Sequence, residues 1–251
     1  LANGTTHLTI ALFSEDSRYF AKALQTLGFD VQLDEANYSM TVKGLGGKIP
    51  ATKAELFIGN AGTAARFLSA FLTLGNGEYI LDGEPRMRER PIGDLVEALA
   101  QLGCDIQPLE KVESGKSICP PVKINASGLR GGKTKIAGDI SSQFLSALLM
   151  TAPYAQSPIE VELTTELNSK PYVDMTISIM KDFGVEIERS GYKSFKVSPS
   201  NYQLPITNYP IESDASAASY FFAAPAICGG TVKVENISRN SVQGDVAFVD
   251  V

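Results

Sequence analysis

Gly59-Asn60-Ala61-Gly62-Thr63-Ala64-Ala65-Arg66 is the segment best suited to chemistry in this 251-residue chain. It reads as a tight glycine turn running into an apolar helix over residues 64–74. Small side chains let a ligand approach the backbone closely. The unpaired N–H groups of the first helical turn then face that ligand with the positive end of the helix dipole. Such a turn binds phosphate or carboxylate, although it also serves as a plain helix cap. The next chemical segment is Arg86-Met87-Arg88-Glu89-Arg90-Pro91-Ile92-Gly93. Its three arginines form a cationic corner, and arginine grips carboxylate or phosphate in a two-pronged way. A solvated charge run with Glu89 as internal partner accounts for Arg86 and Arg88, which leaves Arg90 at Pro91.

Composition narrows the chemistry. A net charge of −6 argues against general nucleic-acid binding, so an anion site must be local. The single histidine, His7, sits in a strand-like run over residues 5–13, which sets aside a Ser-His-Asp triad and a histidine-rich metal site. Cys104, Cys119 and Cys228 are odd in number and lack a CxxC pair, as expected for reduced thiols in a cytoplasmic protein. There is no apolar run long enough for a bilayer and no signal peptide, so no membrane partner is expected. Gly128-Leu129-Arg130-Gly131-Gly132-Lys133-Thr134 falls one residue short of a phosphate-binding P-loop, and the strand before it is poor. It reads as a turn between strands.

The elements that must position these groups show an internal repeat. An amphipathic helix, a glycine C-cap and a strand recur around Gly28, Gly103 and Gly184. A period of roughly 80 residues means copies of a large supersecondary unit. A second set of helices, over residues 61–74, 142–154 and 214–228, is apolar on every face and is expected to be buried. Short alternating strands are expected over 38–42, 78–81, 121–124, 159–163 and 194–197. The buried helices begin with small polar residues: Asn60 to Thr63, Asp139 to Gln143 and Ser213 to Ser216. If the repeats are related by rotation, these N-termini converge on one polyanionic ligand, with an ordinary N-cap role expected for Asp214. The chain opens on Leu1 in what reads as a helix tail and stops at Val251 inside an amphipathic pattern, which suggests a piece of a longer protein.

Several motifs then resemble the 5-enolpyruvylshikimate-3-phosphate synthase family. They are Gly59 to Ala64, Gly83-Glu84-Pro85-Arg86-Met87 with Glu89 to Gly93, and Ser141-Ser142-Gln143-Phe144-Leu145-Ser146-Ala147-Leu148-Leu149-Met150. Ser169-Lys170-Pro171-Tyr172-Val173-Asp174, Asp214 to Phe221, Gly229-Gly230-Thr231-Val232 and Gln243-Gly244-Asp245 complete the set. They run in order across essentially the whole chain. The fold class so implied is α/β, an enolpyruvate-transferase-like lobe of three repeated units whose buried helices are walled by mixed four-stranded sheets. Residues 1–211 would form the lobe that binds shikimate 3-phosphate, its first repeat truncated, and 212–251 would begin a second lobe. The acid/base Asp and Glu of the family belong to that second lobe, so no catalytic residue is expected in this chain. Alone it is expected to bind without turnover.

The activity implied is transfer of the enolpyruvyl group of phosphoenolpyruvate to the 5-hydroxyl of shikimate 3-phosphate, with no metal and no organic cofactor. Two alternatives are a non-catalytic anion-binding lobe and the related UDP-N-acetylglucosamine enolpyruvyl transferase. By resemblance, Ser141, Ser142, Gln143, Ser169 and Tyr172 take shikimate 3-phosphate. Gly62, Arg90, Gln143, Asn60 and Thr63 take phosphoenolpyruvate, and Arg66 is expected in a structural ion pair. Phe67 stands where many members of the family have Pro. The intact protein is expected to be a monomer whose partners are these two small anions.

Overall fold

Three α/β units succeed one another along the chain. The first holds β1 (Asn3–Thr9), α1 (Glu15–Thr26), β2 (Asp30–Asp34) and β3 (Ser39–Leu45). The second holds β4 (Lys53–Phe57), α2 (Gly62–Phe71), β5 (Asn76–Asp82), α3 (Gly93–Gln101), β6 (Asp105–Pro108) and β7 (Val122–Ser127). The third holds β8 (Gly132–Ile136), α4 (Ser142–Thr151), β9 (Ile159–Leu163), α5 (Lys170–Asp182), β10 (Glu188–Ser190) and β11 (Ser194–Val197). After them come β12 (Asn208–Pro210) and α6 (Ala215–Cys228). This computed structural model describes residues 1–112, 114–203 and 207–250. Glu113, residues 204–206 and Val251 lie outside the described residues.

The three sheets share one strand order. In the second unit it is β4-β5-β7-β6, with β4 and β5 parallel and the other pairings antiparallel. The third unit repeats it as β8-β9-β11-β10. In the first the order is β12-β1-β3-β2, so the leading strand is supplied by β12, with His7 opposite Asn208 and Thr9 opposite Pro210.

The repeated glycines terminate α1, α3 and α5 as expected. Gly28, Gly103 and Gly184 take φ of +92°, +83° and +78°, a region open to glycine at little cost. The next residue in each case donates its N–H five residues back: Phe29 to Leu24, Cys104 to Leu99 and Val185 to Met180, at 3.0, 3.1 and 2.9 Å. This closes helix carbonyls that would otherwise be orphaned. The strand after Gly184 starts only at Glu188, because Val185 first turns into the core, where it is 1% exposed.

α2 and α4 fill the centre, packed on each other. Leu68, Leu145, Leu148 and Leu149 are all but inaccessible to solvent, and each helix runs on into a buried 3-10 turn, Leu72–Leu74 and Ala152–Tyr154. α6 departs from the expectation of burial. Only Ala215 and Ala218 are buried, while Tyr220 and Ile227 are 80% and 81% exposed. A helix apolar all round needs a partner on every side, and among the described residues the 3-10 segment Gly244–Asp250 covers only one. The helix tail expected at Leu1 is also absent: residues 1 and 2 are irregular, and the Leu1 carbonyl accepts from the Tyr154 hydroxyl at 2.7 Å. The glycine-rich segment opens on the expected turn over 128–131, carrying the chain from β7 in one sheet to β8 in another, with φ of +84° at Gly128 and +92° at Gly131, while residues 132–134 already belong to β8.

The contrast between central and outlying helices predicts their energetics. Leu68→Ala leaves a cavity between α2 and its neighbours and should cost about 2–5 kcal/mol in urea unfolding. Ile227→Ala on α6 should stay within about 0.5 kcal/mol.

Candidate functional site

Residues 58–62 form the turn expected from their glycines. Gly59 has φ +55°, and any Cβ there would run into the Tyr19 ring. α2 then begins at Gly62 with no side-chain cap, so its first N–H groups are left for another partner. A Cβ on Gly62 would collide with the Arg90 guanidinium and stand 2.6 Å from Nη1 of Arg66. Glycine here is what lets two cations close over a helix N-terminus.

The arginine corner divides as its charges suggest. Arg86 pairs with Glu89 at 2.6 Å, and Arg88 pairs with Asp82 at 2.7 Å and Glu110 at 3.1 Å. Arg90 finds no carboxylate among the described residues. Its Nη1 donates to the Asn60 carbonyl at 2.8 Å and lies 3.4 Å from Asn60 Oδ1. Arg66 corrects the expectation of an ion pair. It is 7% exposed, donates to the carbonyls of Gly62 at 2.9 Å and Pro91 at 3.4 Å, and lies over the Phe144 ring at 5.9 Å. Its Nε is buried without a partner among the described residues. Burial, and then the neighbouring charge of Arg90, pull its pKa down to about 10, which still leaves it charged at neutral pH. Four residues separate Arg66 from Gly62, one helical turn, and that spacing was the sequence signal for its place at the helix N-terminus.

α4 brings the second N-terminus to the same place. Ser141 caps it, its Oγ accepting from the Gln143 N–H at 3.3 Å. The Gln143 side chain crosses to α2, Nε2 donating to Thr63 Oγ1 at 3.2 Å. Ser169 enters α5 in the left-handed region, φ +54° and ψ +44°, with its hydroxyl uncommitted to a cap. That conformation costs a non-glycine residue about 1–2 kcal/mol and concentrates at functional sites. Tyr172 lies one turn into α5 and is 44% exposed.

These residues line one cleft of about 680 Å³. Thr63, Arg66, Arg90, Ser141, Ser142, Gln143, Ser169 and Tyr172 face it, and Asn60 and Gly62 stand behind Arg90. No acidic residue lines it among the described residues. The third N-terminus does not open into this cleft: Asp214 caps α6 by accepting from the Ala217 N–H at 3.1 Å. It faces instead a larger groove of about 970 Å³ between α5 and α6, where Asp182, Glu212 and Asp214 are the charged residues. That groove has the wrong sign for an anion. Sequence reasoning also missed Ser146 and Thr176 in the lining of the cleft, hydrogen-bonded to each other at 2.8 Å across α4 and α5. Nothing in their spacing marks them.

Fold and site together define a repeated α/β lobe whose two central helices aim their N-termini, with two arginines, into one cleft suited to anions. The family model for EPSP synthase (3-phosphoshikimate 1-carboxyvinyltransferase) matches residues 1–251. The chain is 50% identical over 251 residues to the 3-phosphoshikimate 1-carboxyvinyltransferase of Shewanella denitrificans, covering all of this chain and 58% of the relative. It is 51% identical over 252 residues to that of a Sulfurovum species, with the same coverage. Among solved structures, an EPSP synthase from Acinetobacter baumannii superposes with a TM-score of 0.74 at 26% identity, over 90% of this chain and 48% of that one. The chain belongs to the EPSP synthase family and spans a little over half the length of these curated relatives. No helix among the described residues is long and apolar enough to cross a membrane.

The crowding at Gly62 yields a direct expectation. Gly62→Ala must push Arg90 out of place, so inorganic phosphate titrated calorimetrically at low salt should bind about tenfold more weakly, the scale of one lost charge-assisted hydrogen bond. An unchanged dissociation constant would separate Gly62 from the anion site.

Proposed function

We propose that a chain of the relatives' full length transfers the enolpyruvyl group of phosphoenolpyruvate to the 5-hydroxyl of shikimate 3-phosphate, releasing phosphate. The observation that carries this reading is the cleft itself: two arginines and two helix N-termini, with no lining carboxylate among the described residues, in a chain of net charge −6. The activity for which the relatives are named supports it. We also propose the division of the chain into a shikimate-3-phosphate-binding lobe over residues 1–211 and the beginning of a second lobe over 212–251.

Both substrates are polyanions, so their mutual repulsion must be offset by cationic groups already in position. Ser141, Ser142 and Ser169 hold the 3-phosphate at the N-terminus of α4, with the unspent hydroxyl of Ser169 as a ready donor. Tyr172 lays its ring against the shikimate ring. Arg90 takes the phosphoenolpyruvate phosphate or carboxylate, backed by the backbone at Gly62, with Asn60 and Thr63 shaping the pocket. Gln143, already bridging from α4 to Thr63 on α2, lies between the substrates and donates to either. In the reaction the 5-hydroxyl gives up its proton as its oxygen bonds to C2 of phosphoenolpyruvate and C3 gains a proton; the tetrahedral adduct then expels phosphate as the bond from C2 to the phosphate oxygen breaks, and loss of a C3 proton restores the double bond. The cleft supplies binding, orientation and charge for these steps, and among the described residues its lining holds no carboxylate to move the protons.

Three measurements check this. The 251-residue chain alone should form no enolpyruvylshikimate phosphate above a protein-free control, while a chain of the relatives' length should form it readily. In that longer chain Arg90→Ala should lose about 2–4 kcal/mol of transition-state stabilisation, read as kcat/KM; an unaltered value would remove Arg90 from the site. Ser142→Ala should weaken shikimate 3-phosphate binding by about 1–2 kcal/mol, as one hydrogen bond to a charged group.

A further inference from the structure

We infer that Asp245 is a positioning residue for the cleft, fixing the ring of Tyr172 from outside it; the inference rests on the proposed role of Tyr172 in binding shikimate 3-phosphate. The Tyr172 hydroxyl donates to Asp245 Oδ2 at 3.1 Å and lies 3.4 Å from Ser216 Oγ. Ser216 Oγ donates to the same Oδ2 atom. Asp245 is not among the cleft-lining residues, so its charge is met by two hydroxyls and not by the substrate pocket.

The contact is seated by the residue before it. A Cβ on Gly244 would stand 2.6 Å from Pro171 Cβ and 2.8 Å from Pro171 Cγ, leaving room only for glycine. Two consecutive residues, Gly244 and Asp245, therefore grip two consecutive residues, Pro171 and Tyr172, at the first turn of α5. The backbone of that turn is also tied, through Thr176, to α4. Thr176 Oγ1 donates to the Tyr172 carbonyl at 2.9 Å and meets Ser146 Oγ of α4 at 2.8 Å.

The two sets of contacts do different things. The Ser146–Thr176 link sets α5 against the middle of α4, but it leaves the Tyr172 side chain free to turn. Asp245 removes that freedom by anchoring the far end of the ring. With its hydroxyl tied to Asp245, the Tyr172 ring lines the cleft in one setting. A half-exposed aromatic held in one rotamer before the ligand arrives avoids an ordering cost on binding. Affinity in the cleft thus depends on a segment that contributes nothing to its lining.

The test uses the 251-residue chain, with tyrosine-selective isotope labelling and the Tyr172 ring signal assigned by its loss in Tyr172→Phe. Asp245→Ala should move that signal and raise the calorimetric dissociation constant for shikimate 3-phosphate about fivefold, the worth of one hydrogen bond. Asp245→Asn keeps an accepting oxygen and should recover most of both effects. In Tyr172→Phe, adding Asp245→Ala should weaken binding no further. An unmoved ring signal in Asp245→Ala overturns the inference, and so does a moved signal with unchanged affinity. A moved signal in a chain that binds no shikimate 3-phosphate, unaltered or not, retires the substrate reading and supports the contact.

Discussion

Two guanidinium groups share the space that a single Cβ would take at Gly62, and neither has a carboxylate partner among the described residues. Like charges this close are unfavourable in a low-dielectric setting. Backbone carbonyls hold them there instead: those of Gly62 and Pro91 for Arg66, and that of Asn60 for Arg90. Carbonyl dipoles orient a cation without neutralising it. The result is a fixed positive potential at the mouth of a helix whose own N-terminus has the same sign. A negative group in this cleft would be opposed by none of the three, a local setting that the net charge of −6 does not forecast.

The rest of the lobe can be understood as what that arrangement requires. Helix N-termini aim accurately only when the helices behind them cannot shift, and α2 and α4 are packed on nearly every side. Burial on all faces demands sheets around them, and the repeated unit supplies those sheets three times in one strand order. The amphipathic helices α1, α3 and α5, each stopped by a glycine, close the outside.

Much of this is legible from the chain alone. The glycine caps, the strands at 159–163 and 194–197 and the two central helices come from periodicity and capping, which are local properties. The tight turn into α2 is readable because its closely spaced glycines mark it. The partners of Arg66 are not, since a buried arginine usually implies an acid nearby and here two carbonyls serve. The exposure of α6 is hidden too, because a uniformly apolar sequence states what a helix can tolerate, while exposure depends on which neighbours are present. Ser146 and Thr176 give no signal, because a pairing across two helices leaves no mark in either. The link from Asp245 to Tyr172 joins residues more than seventy positions apart, beyond the reach of any local pattern, and its motif is readable only as a resemblance.

The strand that completes the first sheet has a bearing on how the molecule comes into being. β1 lies near the beginning of the chain and its parallel neighbour β12 near residue 210. Closing so long a loop costs conformational entropy that only the finished pairing repays, and such contacts form late. β12 is made after the second and third units, so the β1 edge that it covers has to wait for it. An exposed strand edge is a template for the wrong neighbour. Among its seven residues β1 carries Asn3, Gly4, Thr5, Thr6, His7 and Thr9, with Leu8 as its one large aliphatic. A polar strand of this kind is suited to waiting, with that edge uncovered, for a partner about two hundred residues away.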